Sequence, residues 1–357
     1  MRILHIITSL YYGGAERLMV DLLPLLRDGG SNDVDLLLIN GVETPFKNEV
    51  MGRGINVHWL SPTNDVYHPR NLWRMRKYMA GYDIIHTHNT APQLFASISK
   101  ALSNTKAKLV TTEHSSDNRR RSKWWLKPLD LWMYNRYVAI VCIADPAREN
   151  LEAYIGKKKN IHTISNGVNI ERFIRPINDV KEKENFVVTM VAAFRYEKDH
   201  KTLFRAVKRL PENYRLQLVG GGEDQQLIKN MCHDMGLDDR VEFLGVRSDV
   251  PDILESSDVV VLSSHREGLS LSSIEGMASG RPFVASDVDG LHEMVDGAGV
   301  LFPHGDDAAL AEKIQWLCEH PEEYRQIAQR CQDKARQFDI KVTAQKYLDL
   351  YKSLLKK

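Results

Sequence analysis

Short apolar runs of strand length alternate with amphipathic stretches of helical period along the whole chain, and no other feature restricts the fold as much. In the first half the runs lie at residues 3–7, 34–38, 57–60, 84–86, 109–112, 139–143 and 161–164, with helical patterns at 15–26, 72–79, 92–102 and 127–136. The second half repeats the theme, with strands expected at 186–193, 216–219, 241–244, 259–262, 283–285 and 300–302 and helices at 202–209, 225–235, 273–279 and 308–318. Two further helical patterns, 322–338 and 341–355, close the chain. Strands separated by helices pair in parallel, with helices on both faces of the sheet. The expectation is an α/β protein.

Single cores stop growing near roughly 250–300 residues, so a chain of 357 residues points to two domains. The boundary is expected between Arg172 and Lys183, where Pro176 breaks local order and 178–185 is polar and charged. We expect a Rossmann-like domain over 1–175, a second over 176–340, and a C-terminal helix over 341–357 that packs back towards the first. Two such halves facing each other make a cleft, and ligands bind such sheets beyond the carboxyl ends of the strands.

Charge is divided between the halves. Residues 1–175 hold 24 Lys and Arg against 16 Asp and Glu, whereas the rest hold 24 against 31. A basic first half suits an anionic membrane or a phosphate-bearing acceptor, and no nucleic-acid module accompanies the charge. Cys142, Cys232, Cys318 and Cys331 lack C-x-x-C spacing and fit a reducing compartment. The apolar start at 2–7 is too short for a secretory signal, and no stretch reaches the ~20 apolar residues of a membrane span. A cytoplasmic protein at the inner face of the cell membrane is expected.

Three loops carry chemistry. Gly13-Gly14 follows the first strand and precedes a helix, so the backbone can approach an anion at the free N–H groups of the helix start. The fingerprint G-x-G-x-x-G is absent, which argues against a nicotinamide or flavin, and no cofactor is expected. Arg195 and Lys198, just beyond the first strand of the second half, can both reach one diphosphate. After the apolar run 259–262 comes Glu267-Gly268-Leu269-Ser270-Leu271, then Glu275. A carboxylate there can grip paired sugar hydroxyls while the loop amides face a phosphate. Ser272-x-x-Glu275 also reads as a capping box, which would make Glu275 a structural residue.

Glu267, seven residues, Glu275, then Met277-Ala278-x-Gly280-x-Pro282 resembles the E-x7-E signature of retaining glycosyltransferases of family 4. Supporting pieces run in family order: Gly13-Gly14-Ala15-Glu16-Arg17, Asp83 to Asn89, Thr112-Glu113-His114, Asn166 to Asn169 with Phe173, Arg195 with Lys198-Asp199, Val219 to Glu223, and Gly290 with Glu293. The resemblance implies a GT-B fold, with the acceptor on the first domain and the nucleotide sugar mainly on the second. It implies that Arg195 and Lys198 neutralise the donor diphosphate, Glu267 binds the transferred sugar, and His114 touches that sugar near the reacting centre. It further implies that Glu275 binds the ribose, that Val246 and Arg247 border the nucleobase, and that Gly13, Gly14, Gly221, Gly268, Leu269, Ser270 and Leu271 belong to the donor site. Three departures stand out: Phe194 where glycine commonly precedes the arginine, Gly276 for a usual alanine, and Ser270 where glycine or an aromatic is frequent.

The implied activity is metal-independent hexosyl transfer, with retention, from a nucleoside-diphosphate sugar, UDP before GDP, to a glycan or lipid-linked glycan in cell-surface polysaccharide synthesis. Alternatives are an epimerase of the same architecture and a non-catalytic sugar-nucleotide binder. No metal site is expected. Asp33-x-Asp35 enters a strand, Asp287-x-Asp289 overlaps the loop before Gly290, and no Cys or carboxylate completes His86-x-His88. Arg119, Arg120, Arg121, Lys123, Trp124 and Trp125 mix cations with indoles, a composition suited to an anionic membrane surface.

Overall fold

A computed structural model describes residues 1–11, 13–27, 31–114, 121, 123–158, 160–180, 183–268 and 270–356. The chain forms two compact units, Met1–Gly167 with Ile340–Lys357, and Val168–Asp339.

In the first unit, strands β1 (Arg2–Ile7), β2 (Asp33–Asn40), β3 (Asn56–Ser61), β4 (Ile84–His88), β5 (Lys108–Glu113), β6 (Ala139–Cys142) and β7 (Ile161–Thr163) form a parallel sheet in the order β3-β2-β1-β4-β5-β6-β7. Its connections carry α1 (Gly14–Arg27), α2 (Pro45–Gly52), α3 (Arg70–Tyr78), α4 (Thr90–Ala101), α5 (Lys127–Tyr134) and α6 (Asp145–Ile155). Two apolar layers cover the sheet. One holds Leu18, Leu22, Leu36 and Val110; the other holds Leu37, Met75, Phe95, Met133 and Leu151.

In the second unit, β8 (Phe186–Val191), β9 (Tyr214–Val219), β10 (Val241–Gly245), β11 (Val259–Leu262), β12 (Phe283–Asp287) and β13 (Val300–Pro303) pair in parallel in the order β10-β9-β8-β11-β12-β13. The helices are α7 (His200–Arg209), α8 (Gln225–Asp234), α9 (Val250–Ser256), α10 (Leu271–Ala278), α11 (His292–Val295), α12 (Asp307–Glu319) and α13 (Pro321–Arg336). The last helix, α14 (Ile340–Leu355), belongs to the first unit, where Tyr347 and Tyr351 are fully buried beside α1.

Two details differ from the reading of the sequence. Residues 168–175, expected with the first domain, lie in the second unit, because Val168, Ile170 and Phe173 bury themselves in its core. Helices α2, α6, α9 and α11 were not expected. The first three carry Pro45, Pro146 or Pro251 in their opening turn, where a missing N–H costs nothing and the fixed φ suits a helix start.

Both sheets reverse their winding beside a central strand, between β1 and β4 in the first unit and between β8 and β11 in the second. The loops leaving those strands diverge, and the crevice between them is where open α/β sheets hold ligands.

Candidate active site

The second unit's crevice is lined by the segments after β8 and β11. Arg195 to Lys198 closes a turn in which the Lys198 amide donates to the Arg195 carbonyl at 3.0 Å. Both cations therefore leave one turn, Arg195 exposed and Lys198 mostly covered. From the other loop, Glu267 Oε1 accepts from the Lys198 ammonium and, at 2.9 Å, from the Ser264 hydroxyl. Only 17% of the Lys198 side chain and 10% of that of Glu267 are exposed. A pair this sheltered is screened weakly, so loss of one partner leaves the other poorly compensated. The structure thus joins two of the residues expected to touch the donor, and adds Ser264, which no spacing singled out.

Glycines let these loops mate. A Cβ on Gly220 (φ +147°) would lie 1.9 Å from the Ala192 carbonyl oxygen, and one on Gly222 would lie 2.3 Å from that of Phe194. The Phe194 amide donates to the Gly221 carbonyl at 3.0 Å, tying the glycine loop to the Arg195 turn. Phe194 itself is buried, edge-on to His200 and Phe243, so it fills core space and leaves the turn to Arg195. Gly290 (φ +82°) seats against the Glu267 and Gly268 carbonyls, where a Cβ would stand 2.6 and 2.7 Å away. Gly221 faces Val246, whose Cγ2 lies 3.0 Å from a notional Cβ there. Val246 is exposed, and the Arg247 guanidinium is held by Asp249 at 2.5 and 2.7 Å.

At the start of α10, Ser270 rather than Ser272 is the N-cap residue, and it makes no side-chain cap bond. Ser272 lies inside the helix, its hydroxyl 3.1 Å from that of Ser270, so the expected capping box does not form. Glu275 is half-buried in the second turn of the helix, with Leu271 half-buried at its start. Ser273 Oγ is buried without a partner among the described residues. Leu269 lies outside the described residues.

The first unit's crevice is different. Gly13 and Gly14 open α1, where the Arg17 amide donates to the Gly13 carbonyl at 2.9 Å. The Glu16 carboxylate lies against Gly13, its Oε2 2.3 Å from a notional Cβ there, and burial raises its pKa. His114, after β5, sits at one end of a histidine cluster. His88 Nδ1 contacts His114 Nε2 at 2.9 Å, and His5 Nδ1 contacts His88 Nε2 at 2.9 Å. Burial lowers the pKa of His5 to about 3 and of His114 to about 4, and holds His86 and His88 well below the usual imidazole range. All four rings are neutral at pH 7. His5, His86 and His88 lie close enough together to share a metal ion, but their mutual contacts and those to hydroxyls already engage their ring nitrogens.

A second such cluster, Asp199 with His265 and His304, borders the Lys198 turn. His265 Nδ1 lies 2.8 Å from His304 Nε2. Both Asp199 oxygens cap α7, one accepting from the Thr202 amide at 3.2 Å and the other from its hydroxyl at 2.5 Å. Capping the helix accounts for the carboxylate.

Of the residues expected at a membrane, Arg119 and Arg120 lie outside the described residues. Arg121 is turned inward, paired with Glu113 at 3.0 Å and only 11% exposed, so it does not face a bilayer. Trp124 and Trp125 are 84% and 60% exposed, and Lys123 beside them is exposed. Among the described residues no helix is long and apolar enough to cross a membrane.

The chain matches the family model for glycosyltransferase family 4 over residues 12–172 and that for glycosyl transferases group 1 over 171–336. It is 29% identical to EpsD of Bacillus subtilis over 297 residues, 77% of each chain. It is 33% identical to the UDP-Gal:alpha-D-GlcNAc-diphosphoundecaprenol alpha-1,3-galactosyltransferase of Escherichia coli over 229 residues, 58% of this chain and 59% of that enzyme. The crystal structure of Anabaena HepE with UDP and glucose superposes with a TM-score of 0.85 at 22% identity, over 99% of this chain and all of that one. At that identity the likeness is one of fold.

Proposed function

We propose that this chain, which belongs to the group 1, family 4 glycosyltransferases, moves a hexosyl group from UDP-sugar to a hydroxyl of a lipid-linked glycan, with retention and without a metal. The observation that carries this reading is the Lys198–Glu267 pair at the β8/β11 crevice, with Arg195 in the same turn. A leaving diphosphate gains negative charge as the sugar departs. Arg195 and the Lys198 ammonium, released from Glu267 when the donor enters, meet that charge in a sheltered site where fixed cations stabilise it most. Glu267 is then free to accept from sugar hydroxyls, Glu275 takes the ribose pair, and Val246 and Arg247 flank the base. The diphosphate accepts the proton of the incoming hydroxyl. UDP is favoured because the E. coli relative is named for UDP-galactose and HepE was crystallised with UDP.

The acceptor side suits a membrane. Helices α3 and α5 cover the same face of the first sheet through Met75 and Met133. These helices and the residues flanking α5 expose Trp73, Trp124, Trp125 and Trp132 among Arg70, Arg76, Lys77, Lys123, Lys127 and Arg136. Indoles at headgroup depth and cations over anionic lipid would hold the protein on the cytoplasmic leaflet, where it would serve cell-surface polysaccharide synthesis.

The test is product analysis with UDP-glucose, UDP-galactose, UDP-N-acetylglucosamine and GDP-mannose, each with and without undecaprenyl-diphosphate sugars, in EDTA. Transfer with an α-anomer from a UDP donor supports the proposal. Donor isomerised without acceptor identifies an epimerase, and tight binding without any turnover identifies a sensor.

A further inference from the structure

His114 and three other histidines of the first unit lie on one line of hydrogen bonds that begins on the C-terminal helix. Tyr347 OH contacts Thr112 Oγ1 at 3.1 Å, and Thr112 Oγ1 contacts His86 Nε2 at 2.8 Å. His86 Nδ1 contacts Tyr351 OH at 2.5 Å, and Tyr351 OH contacts His5 Nε2 at 3.5 Å, the longest link. His5 Nδ1 then meets His88 Nε2, and His88 Nδ1 meets His114 Nε2, each at 2.9 Å. The His5 and His88 rings lie within 11° of one plane, the geometry of an in-plane N–H···N bond. His114 Nδ1, at the far end, is buried and has no partner among the described residues.

Each neutral imidazole and each hydroxyl carries one hydrogen to donate. Seven groups joined by six contacts therefore leave one hydrogen over; it sits on His114 Nδ1, on Tyr347, or on a mid-line hydroxyl that accepts from both neighbours and so leaves its own hydrogen and His114 Nδ1 both unmet. If Tyr347 donates to Thr112 and every later group donates in the same sense, the extra hydrogen is on His114 Nδ1. In the opposite sense, the Tyr347 hydrogen points into the core with no acceptor among the described residues, and His114 Nδ1 keeps a bare buried lone pair. The first arrangement leaves one unmet group and each of the others leaves two, and buried polar groups are rarely left unmet.

We infer that Tyr347, Thr112, His86, Tyr351, His5 and His88 are positioning residues that fix His114 as an Nδ1–H hydrogen-bond donor to an oxygen of a ligand bound at the first unit's crevice. His114 is then unable to take the proton of the incoming hydroxyl; its hydrogen stays on nitrogen and no proton passes along the line. The inference deepens the proposed transfer reaction and rests on it only for the identity of that oxygen. Helix α14 thereby acts on the crevice as well as on the core, since it carries both tyrosine hydroxyls that set the sense of the line.

The tautomers are read in the free, full-length protein by two-bond proton–nitrogen spectra after 15N-histidine labelling, with His114→Gln, His88→Gln, His86→Gln and His5→Gln for assignment. All four rings are expected as Nδ1–H, the minor form of free neutral imidazole, with His114 favouring it roughly tenfold or more. Tyr351→Phe, which separates His86 from His5, is expected to leave His5, His88 and His114 as mixtures of both forms with a small change in melting temperature. Nε2–H rings in the parent protein overturn the inference. So does a tautomer pattern that Tyr351→Phe leaves unmoved, or a metal ion retained through dialysis in a one-to-one ratio and lost in His86→Gln. Because no donor or acceptor is present, a failed transfer assay does not touch this result, and a failed spectrum does not touch the transfer reaction.

Discussion

The two crevices share a winding and differ in what fills them. In the first unit the strands at the reversal, β1 and β4, carry His5 and His88, neutral rings joined to one another and to buried hydroxyls. In the second, the segments after β8 and β11 bring out Arg195, Lys198 and Glu267. Topology therefore sets where a ligand can lie, and the side chains at the strand ends decide what it meets. A neutral line of donors is fixed by burial and can only offer or accept hydrogen bonds. A sheltered ion pair that is not sealed can open, and each partner can then face a group of opposite charge.

Acid should separate the two units most strongly. The unfolded chain protonates its histidines near pH 6.5, whereas folded His5 does so only near 3 and His114 near 4, with His86 and His88 also held low. Between these values the unfolded state binds more protons, so stability is present above pH 6.5 and is lost as pH falls. Each such histidine contributes a slope of roughly 1.4 kcal/mol per pH unit. The first unit holds these four, whereas in the second only His200, near 4, is held low in this way among the described residues. Hydrogen exchange followed from pH 7 to pH 5 should show β1, β4 and β5 opening before β8 and β11, by several kcal/mol. Equal loss in both units would show that the cluster takes up protons without cost, and the contrast between the crevices would lose its basis.

Charge removal comes next in size. Lys198→Ala should lower kcat about 100-fold or more, the usual consequence of deleting a group that meets developing charge, and Glu267→Gln should act mainly on the sugar. The lysine variant also leaves Glu267 without its cation, although the Ser264 hydroxyl at 2.9 Å still donates to it. A modest fall in melting temperature of the second unit is therefore expected, with the first unit unchanged. Steady-state kinetics with UDP-sugar and a melting curve distinguish the two effects. Turnover within a factor of a few of the parent would remove the ionic crevice from the reaction.

Much of this was legible in the residues themselves. The central strands β1, β2, β8 and β11 announce themselves as apolar runs, because strands buried on both faces are rich in Val, Ile and Leu. Strand ends were less visible: β4 continues through Thr87 and His88, polar residues whose hydrogen bonds, Thr87 to Val110 O and His88 to His5, replace the apolar signal. The spacing of Arg195 and Lys198 pointed to one diphosphate, and the loop of Glu267, read as a sugar-binding carboxylate, does converge on their turn. Nothing local could join His86 to Tyr351, which are 265 residues apart, whereas Ser264 meets Glu267 across three residues in a turn that carries no spacing signature. Such pairs are made by the return of α14 and by the turn after β11. Arg121 was misread because its cationic neighbours suggested a membrane face, whereas it turns in to pair with Glu113, whose other oxygen accepts from Tyr134 and Gln93.

The smallest expected effect tests how closely each crevice helix packs on its sheet. In the first unit α4 meets the sheet through Ala96, which is fully buried. In the second, α10 uses Gly276, where family members usually carry alanine. A Cβ there would stand 2.8 Å from Phe283 Cδ2 and 2.9 Å from Val260 Cγ1, so the ring of Phe283 occupies the space an alanine methyl would need. Overpacking of this kind costs about 1–3 kcal/mol, against a gain of up to about 1 kcal/mol for alanine over glycine in a helix. Gly276→Ala should therefore destabilise the second unit by roughly 1–2 kcal/mol, and Phe283→Leu in the same chain should restore a good part of it. The double-mutant cycle isolates that coupling from the effect of each change alone. If Gly276→Ala stabilises instead, α10 has room to step away from β12, and the second crevice is as yielding at its helix as it is at its ion pair.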